Sequence, residues 1–408
     1  MHMITTLLLA TLLTQPTPTP PATPPSTPGA VPVPTAPTPT TPTVMQAAPP
    51  TSNQFISWTK GTILEATLRI GIYSNAVLQP SNPLLFPVLT SSGSSIVDLD
   101  SIRAQITMDG ATVDQGGGID ILSPDLDYGS HLIKAPAPAF TPTAQVQNNR
   151  MQMQFQIQQT IACWSPSVDE KAMARIPWPS TWPEETLSAL DPQPLIESDD
   201  PIFATALQAL TGGNLRQVPP WIAAKTIVKY CCNSIKADTT IMLYGPDRVV
   251  RGLDVQGAAV TARRETGTAC DLTCICVAML RAAGIPARPV IGLGKTNRNR
   301  NSLLIWGEFY LPDAGWIPFD AKALQSKGVR SWTTDRSWNG FGNLSGLNKQ
   351  IPLAHAFTPG DIATAYDAWS IWGWSRLLGA PMIPLDITTA NQPSSINYSF
   401  INRGAYPE

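Results

Sequence analysis

The sequence predicts an α+β protein, with a β-sandwich-like domain followed by a domain of mixed helices and strands. Three observations carry this. Residues from about 53 to 185 hold short runs of alternating apolar and polar side chains, the period of a half-buried strand. Residues from about 195 to 330 show helical patterns first and strands after them. Between the two lies a connecting stretch marked by Pro177, Trp178, Pro179, Trp182 and Pro183.

The length of 408 residues suits two domains, and an apolar fraction of 43% supports a real core. Charged residues make up 14% with a net charge of −2. That balance gives no electrostatic footprint for nucleic acid, which sets this class aside.

The first 59 residues hold no Lys, Arg, Asp or Glu, and Lys60 is the first charge. Ile4 to Leu13 is an apolar run, shorter than the roughly 20 residues that span a bilayer. It fits the apolar core of a signal peptide, although no Lys or Arg precedes it and no A-x-A site follows. Residues 1–14 are therefore read as signal-like, with export as the expectation and no integral span in the mature chain. Residues 15–52 form a Pro/Thr tract. Such a composition favours extended polyproline II and reads as a stalk.

In residues 53–190 the strongest strand is Met151 to Gln158, with strict alternation of apolar and amide side chains. Ala66 to Ile72 and Ile102 to Met108 are weaker strands. In residues 195–330, Asp199-Asp200-Pro201 starts a helix, with acidic residues at its positive end and Pro in its first turn. Pro220 to Asn233 is a second, amphipathic helix. Thr268 to Ala283 is a third, stopped by Gly284 and Pro286. Strands follow at Arg288 to Ile291, Leu303 to Leu311 and Trp316 to Phe319. Residues 331–408 form a Trp-rich C-terminal extension, in which Thr358 to Leu378 is a candidate helix.

The cysteines are Cys163, Cys231, Cys232, Cys270, Cys274 and Cys276. Cys270 and Cys274 have helical i, i+4 spacing, but no CxxC pair or nearby His completes a metal site. Buried apolar thiols are the simpler reading, with no metal and no cofactor expected. Gly294-Lys295-Thr296 imitates the end of a phosphate-binding loop, but Pro289 stands where the first Gly belongs and no helix follows.

The informative stretch is Glu265 to Ala321. Leu280-Arg281-Ala282-Ala283-Gly284-Ile285-Pro286-Ala287-Arg288 follows the third helix. Trp306, Glu308, Tyr310, Leu311 and Pro312 come next, and then Gly315, Trp316, Pro318, Phe319 and Asp320. This pattern resembles the transglutaminase-like superfamily, whose fold is related to papain-like cysteine peptidases. The resemblance is clear over about 55 residues and reaches back weakly to about Leu195. It implies a bacterial exported type with an N-terminal β domain. It also implies a triad: a Cys at a helix start, a His on the next strand motif, and an Asp after the following strand. The positive helix end and the His activate the thiol, and the Asp orients the His.

The Asp place is filled by Asp320. The His place, two residues before Trp306, holds Leu304, which cannot accept a proton. Leu304 is the one aliphatic member of a face that includes Ser302, Trp306, Glu308 and Tyr310. Leu303, Ile305, Gly307, Phe309 and Leu311 form the opposite, apolar face. His355 imitates the motif but follows the Asp strand. His131 and His2 lie elsewhere.

The Cys place depends on register. Without a gap it falls on Ala269, with Cys270 one residue later, and this register keeps Asp271 and Arg281 in their family places. One helical step turns a side chain by roughly 100°, which would aim Cys270 away from a cleft. A gapped register puts Cys270 in place and throws Asp271 and Arg281 out of step.

The leading expectation is a catalytically inactive transglutaminase-like domain, retained for structure or for binding a peptide, protein or cell-wall ligand. Trp306, Glu308 and Trp316 are the expected cleft-lining residues. The alternative is a cysteine peptidase, amidase or acyltransferase using Cys270, Asp320 and an unidentified base. A third reading gives the work to the β domain and the Trp-rich tail, as an adhesion module.

Overall fold

The computed structural model describes residues 49–74, 84–108, 111–113, 120–122, 131–135, 151–244, 250–295, 301–357, 369–370 and 392–405. The chain divides into two units, Met1–Val44 and Met45–Glu408, and the described residues lie in the second. The apolar run Ile4 to Leu13, most of the Pro/Thr tract and the candidate helix Thr358 to Leu378, apart from residues 369–370, fall outside them. Among the described residues, no helix is long and apolar enough to cross a membrane.

The N-terminal elements are β1 (Ile56–Ser74), β2 (Leu84–Val88), β3 (Ser95–Met108), β4 (Ala111–Val113), β5 (Asp120–Leu122), β6 (His131–Ala135) and β7 (Met151–Val168). The predicted run Met151 to Gln158 is the first half of β7, and Ala66 to Ile72 lies inside β1. The second half of β7 is longer than alternation suggested because both of its faces are covered. Ile157, Ile161 and Cys163 point into the main core, while Ala162 and Trp164 pack with Trp58 and Ile96.

The helices are α1 (Glu170–Met173), α2 (Pro201–Thr211), α3 (Pro220–Ser234), α4 (Ala258–Arg264), α5 (Ala269–Ala282) and α6 (Ala321–Ser326). Asp200 caps α2, its side chain accepting from the Ile202 N–H, as its place before Pro201 predicts. Short strands β8 (Lys236–Ala237), β9 (Met242–Tyr244), β10 (Val250–Leu253) and β11 (Thr266–Gly267) fill the connections. The second sheet region holds β12 (Ala287–Lys295), β13 (Asn301–Leu311), β14 (Gly315–Phe319) and β15 (Ile351–Ala354). Two C-terminal strands, β16 (Trp369–Ser370) and β17 (Gln392–Ala405), return to the β region.

The large sheet has the order β17-β1-β7-β3-β4, and a second sheet has the order β16-β2-β6-β5. The sheet that bears the family motifs is antiparallel, with the order β14-β13-β12-β15. Its two faces do different things. Ile291, Leu293, Leu303, Ile305 and Phe309 belong to the main core together with α5. Val290 and Trp306 form a separate small core with Leu344 and Leu347, and Leu304 packs against it.

Helix α5 is buried along almost its whole length, from Ala269 to Arg281, as expected of a helix apolar on all sides. Its exit is the turn predicted at Gly284. That residue has φ +76°, a left-handed conformation that favours glycine. Arg281 fixes the same turn, donating from Nε to the Ala287 carbonyl at 2.7 Å and from Nη1 to the Asp191 carbonyl.

The segment after α6 is part of the core. Trp338 and Phe341 are fully buried, with ring centroids 5.7 Å apart. Phe341 also meets Trp221 at 5.0 Å and Phe309 at 5.2 Å. Lys225 is fully buried beside them. Its Nζ donates to Glu170 Oε2 and to the Arg336 carbonyl, both at 2.7 Å, and lies 4.7 Å from the Trp338 ring centroid. A buried ammonium needs such partners. Asn348 fastens this segment to the large sheet: its Nδ2 donates to the Lys60 carbonyl and to Thr62 Oγ1, both at 2.9 Å.

Candidate functional site

Helix α5 starts at Ala269, the residue that the ungapped register expects in the nucleophile place. Thr268 is its N-cap and forms a capping box with Asp271. The Asp271 carboxylate is fully buried and collects backbone donors. Gln256 N–H reaches Oδ1 at 2.7 Å, Gly257 N–H reaches it at 3.2 Å, and Thr268 N–H reaches Oδ2 at 2.9 Å. The Thr268 hydroxyl donates to the Asp254 carbonyl at 2.6 Å. Burial raises the Asp271 pKa, against the pull of those N–H donors. Gly267 passes close over this group: a Cβ there would sit 2.7 Å from Asp271 Cβ, so the position has no room for a side chain.

Ala269 is the first residue of α5 and is buried. Its N–H donates to the Thr240 carbonyl at 3.3 Å. Ala269 thus offers only a methyl group at the start of the helix, and its N–H is already engaged. Cys270 is wholly buried. Burial pushes its thiol well above the ordinary range, and Asp271, Asp254 and Asp238 push it further. Both influences oppose a thiolate, the form that attacks carbonyls. Cys274, one turn on, is shifted upward in the same way.

Leu304 is half-buried on the far face of the sheet, paired across β12 with Gly292. It packs with Val290, Trp306, Leu344 and Leu347, a cluster separate from the core that holds Ala269 and Cys270. Asp320 is the N-cap of α6. Its Oδ1 accepts from the Ala323 N–H at 2.8 Å, and burial raises its pKa. It lies next to Ala321, whose carbonyl faces the Cys232 thiol at 3.4 Å. Asp320 thus ends a strand and begins a helix beside α3.

The three residues read as cleft-lining have distinct places. Trp306 and Glu308 are each only 2% exposed, and Trp316 is half-buried. Glu308 stands opposite Arg288 in the β12–β13 register and binds it twice through Oε2. Arg288 Nη2 is at 2.7 Å and Nε at 2.9 Å. The guanidinium lies 3.8 Å from the centroid of the Trp316 ring, and Trp316 meets Tyr310 edge-on at 5.5 Å.

His355 joins this group, which sequence reasoning did not anticipate. Its Nε2 is 3.9 Å from Glu308 Oε2, too far for a hydrogen bond. Burial, and then Arg288, hold its pKa well below the usual imidazole value. Among the described residues, His355 Nε2 and Trp306 Nε1 have no hydrogen-bond partner. His355 follows β15, which pairs with β12. That long-range pairing leaves no trace in the local sequence. Among the described residues no group of three or more His, Cys, Asp or Glu side chains is arranged to hold a metal.

Residues 208–321 match the family model of the transglutaminase-like superfamily. The second half of the chain thus carries a transglutaminase-like domain, on a fold of mixed helices and strands. No curated protein matches the chain by sequence. Several solved structures are similar to it, two of which illustrate the likeness. One is the Cytophaga hutchinsonii protein solved under the name "Putative Cysteine Protease", with 11% identity, a TM-score of 0.49, and coverage of 86% of this chain and 93% of that one. The other is the periplasmic domain of TgpA from Pseudomonas aeruginosa, with 13% identity, a TM-score of 0.30, and coverage of 69% and 96%.

Proposed function

We propose that this transglutaminase-like domain does not perform thiol-based acyl transfer or peptide hydrolysis, and that it serves as a structural or ligand-binding module. The observation that carries this reading is the start of α5. Ala269 stands in the nucleophile place, and the nearby thiol of Cys270 is wholly buried next to acidic groups. A positioned general base is worth roughly 10² to 10⁴ in rate, and Leu304 supplies none. Loss of members of a unit that works together removes most of its catalysis. The candidate ligands are a peptide, another protein or a cell-wall fragment.

Two measurements test the reading. Iodoacetamide labelling of the native protein, read by mass spectrometry, is expected to modify Cys270 far more slowly than a thiol in an unstructured peptide. Labelling faster than that reference would revive a cysteine hydrolase built on Cys270 and Asp320. Calorimetric titration with peptides and cell-wall fragments tests the binding version, and no heat with any of them would leave only the structural role.

We further propose that the protein is exported, with residues 1–14 as a signal-like segment and residues 15–52 as a stalk. The uncharged apolar start and the Pro/Thr tract support this. Recovery of the intact chain, with Met1 retained, from the cytoplasmic fraction would overturn it.

A further inference from the structure

Trp182, Tyr310 and Trp316 run in contact along the surface beside the exit of α5. Trp182 meets Tyr310 edge-on with ring centroids 6.4 Å apart, and Tyr310 meets Trp316 edge-on at 5.5 Å. All three are half-buried, so each keeps part of its ring in solvent. Trp182 is held in place by its Nε1, which donates to the Gly284 carbonyl at 2.9 Å. The rim of this strip is acidic. Glu184 and Glu185 follow Trp182 after one proline, and Asp313 lies in the turn between β13 and β14. These carboxylates are exposed, and none forms an ion pair among the described residues. Burial, then Glu185 and Asp313, raise the pKa of the Tyr310 hydroxyl. Arg288, which lies against Trp316, is already neutralised by Glu308. Beyond Trp182 and Gly284, the exposed Arg216 stacks on Trp178 at 4.6 Å.

We propose that this strip binds an extended, proline-rich peptide segment carrying a basic side chain, an inference that rests on the reading of the domain as a ligand-binding module. Aromatic rings exposed side by side are the surface on which proline-rich segments dock, at low entropic cost because such segments are already extended. The indole N–H groups of Trp182 and Trp178 are spent inside the protein, on the Gly284 and Val218 carbonyls. These rings therefore offer carbon surface and no donor. That suits a proline ring better than a sugar, whose hydroxyls lose hydrogen bonds when they are covered without partners. The acidic rim selects the charge. An Arg or Lys of the peptide is drawn to Glu185 and Asp313, while a carboxylate at its other end is drawn towards Arg216. Exposed charges contribute little energy, so they set orientation, and the aromatic area carries the affinity.

The experiment titrates the full chain with a short synthetic peptide of prolines and alanines that begins with a pair of arginines, read by calorimetry and tryptophan fluorescence. The same peptide with glutamates in place of the arginines, and an N-acetylglucosamine oligosaccharide, are titrated beside it. The basic peptide is expected to bind and to change the fluorescence. Trp182→Ala should weaken it by at least about tenfold, as loss of an aromatic anchor does. Glu185→Lys, a change at an exposed site that leaves the packing alone, should weaken it by about threefold at low salt and not at high salt. This second variant keeps the test decisive where Trp182→Ala fails to fold. No binding of the basic peptide, equal binding of the acidic one, or full affinity in both variants would overturn the proposal. Binding of the oligosaccharide instead would also overturn it, while leaving the ligand-binding role of the domain intact.

Discussion

Glu308→Gln should be among the most damaging single changes in the second half of the chain. The carboxylate is 2% exposed and holds Arg288 through two contacts to one oxygen, at 2.7 and 2.9 Å. The amide keeps the shape and removes the charge. Arg288 then remains largely buried, with its side chain 16% exposed, cationic and facing an amide. Removing one partner of a buried ion pair costs about 3–5 kcal/mol, mostly from the stranded charge. The stacking of Arg288 on Trp316 remains, which places the estimate at the lower end, about 3 kcal/mol. In a domain of this size that lowers Tm by roughly 10 °C. The assay is urea unfolding followed by tryptophan fluorescence, with Glu308→Gln, Arg288→Met and the double variant in one cycle. The double variant strands no charge, so it should recover at least half of the single-variant loss. A cost below about 1 kcal/mol for Glu308→Gln, the range of an exposed pair, would refute the idea that this contact is a desolvated anchor of the β12–β13 pairing.

Three further outcomes are expected. His355 is held neutral in the folded state, its pKa well below 6.5, while the unfolded chain protonates near that value. Stability should therefore fall as pH drops below about 6.5, by up to about 1.4 kcal/mol per unit until the folded pKa is reached; paired urea titrations at pH 7 and pH 5 should show a smaller loss for His355→Asn than for the natural chain. Ala269→Cys combined with Leu304→His should still give no measurable amidase or peptidase activity, because Leu304 packs in a cluster apart from Ala269; turnover of an amide substrate would show that the two places do meet. Lys225→Met should cost little beyond the partner it strands, Glu170, which is 17% exposed at its side chain and can rehydrate; a loss above about 4 kcal/mol in urea would mean that the ammonium is central to the packing of Trp338.

The elements that the sequence made legible are those governed by local rules. Asp200 before Pro201, and the Gly284-Ile285-Pro286 turn, fix their positions through capping and backbone conformation. The strand around Trp306 was legible because its two faces differ in polarity, and the structure separates those faces into two cores. What local rules could not supply was the company each residue keeps. His355 reached Glu308 only through the β15–β12 pairing. Lys225 lies in the helix read as amphipathic, yet Glu170 and the Arg336 carbonyl, both distant in sequence, draw it inside. The burial of Trp306 and Glu308 depends likewise on what covers the far face of the sheet, including Leu344 and Leu347.

Strand β17 has a bearing on how the chain matures. It pairs with β1 from Thr62↔Ala405 to Tyr73↔Gln392, and β1 pairs on its other side with β7. Until Gln392–Ala405 has been synthesised, β1 presents one open edge of backbone donors and acceptors. Contacts of such long sequence separation form slowly, and an open edge invites association with other chains. The large sheet therefore cannot complete its architecture until Gln392–Ala405 has emerged, however early its first strands do. Chains truncated before Gln392 should aggregate even though every motif of the transglutaminase-like domain is already present.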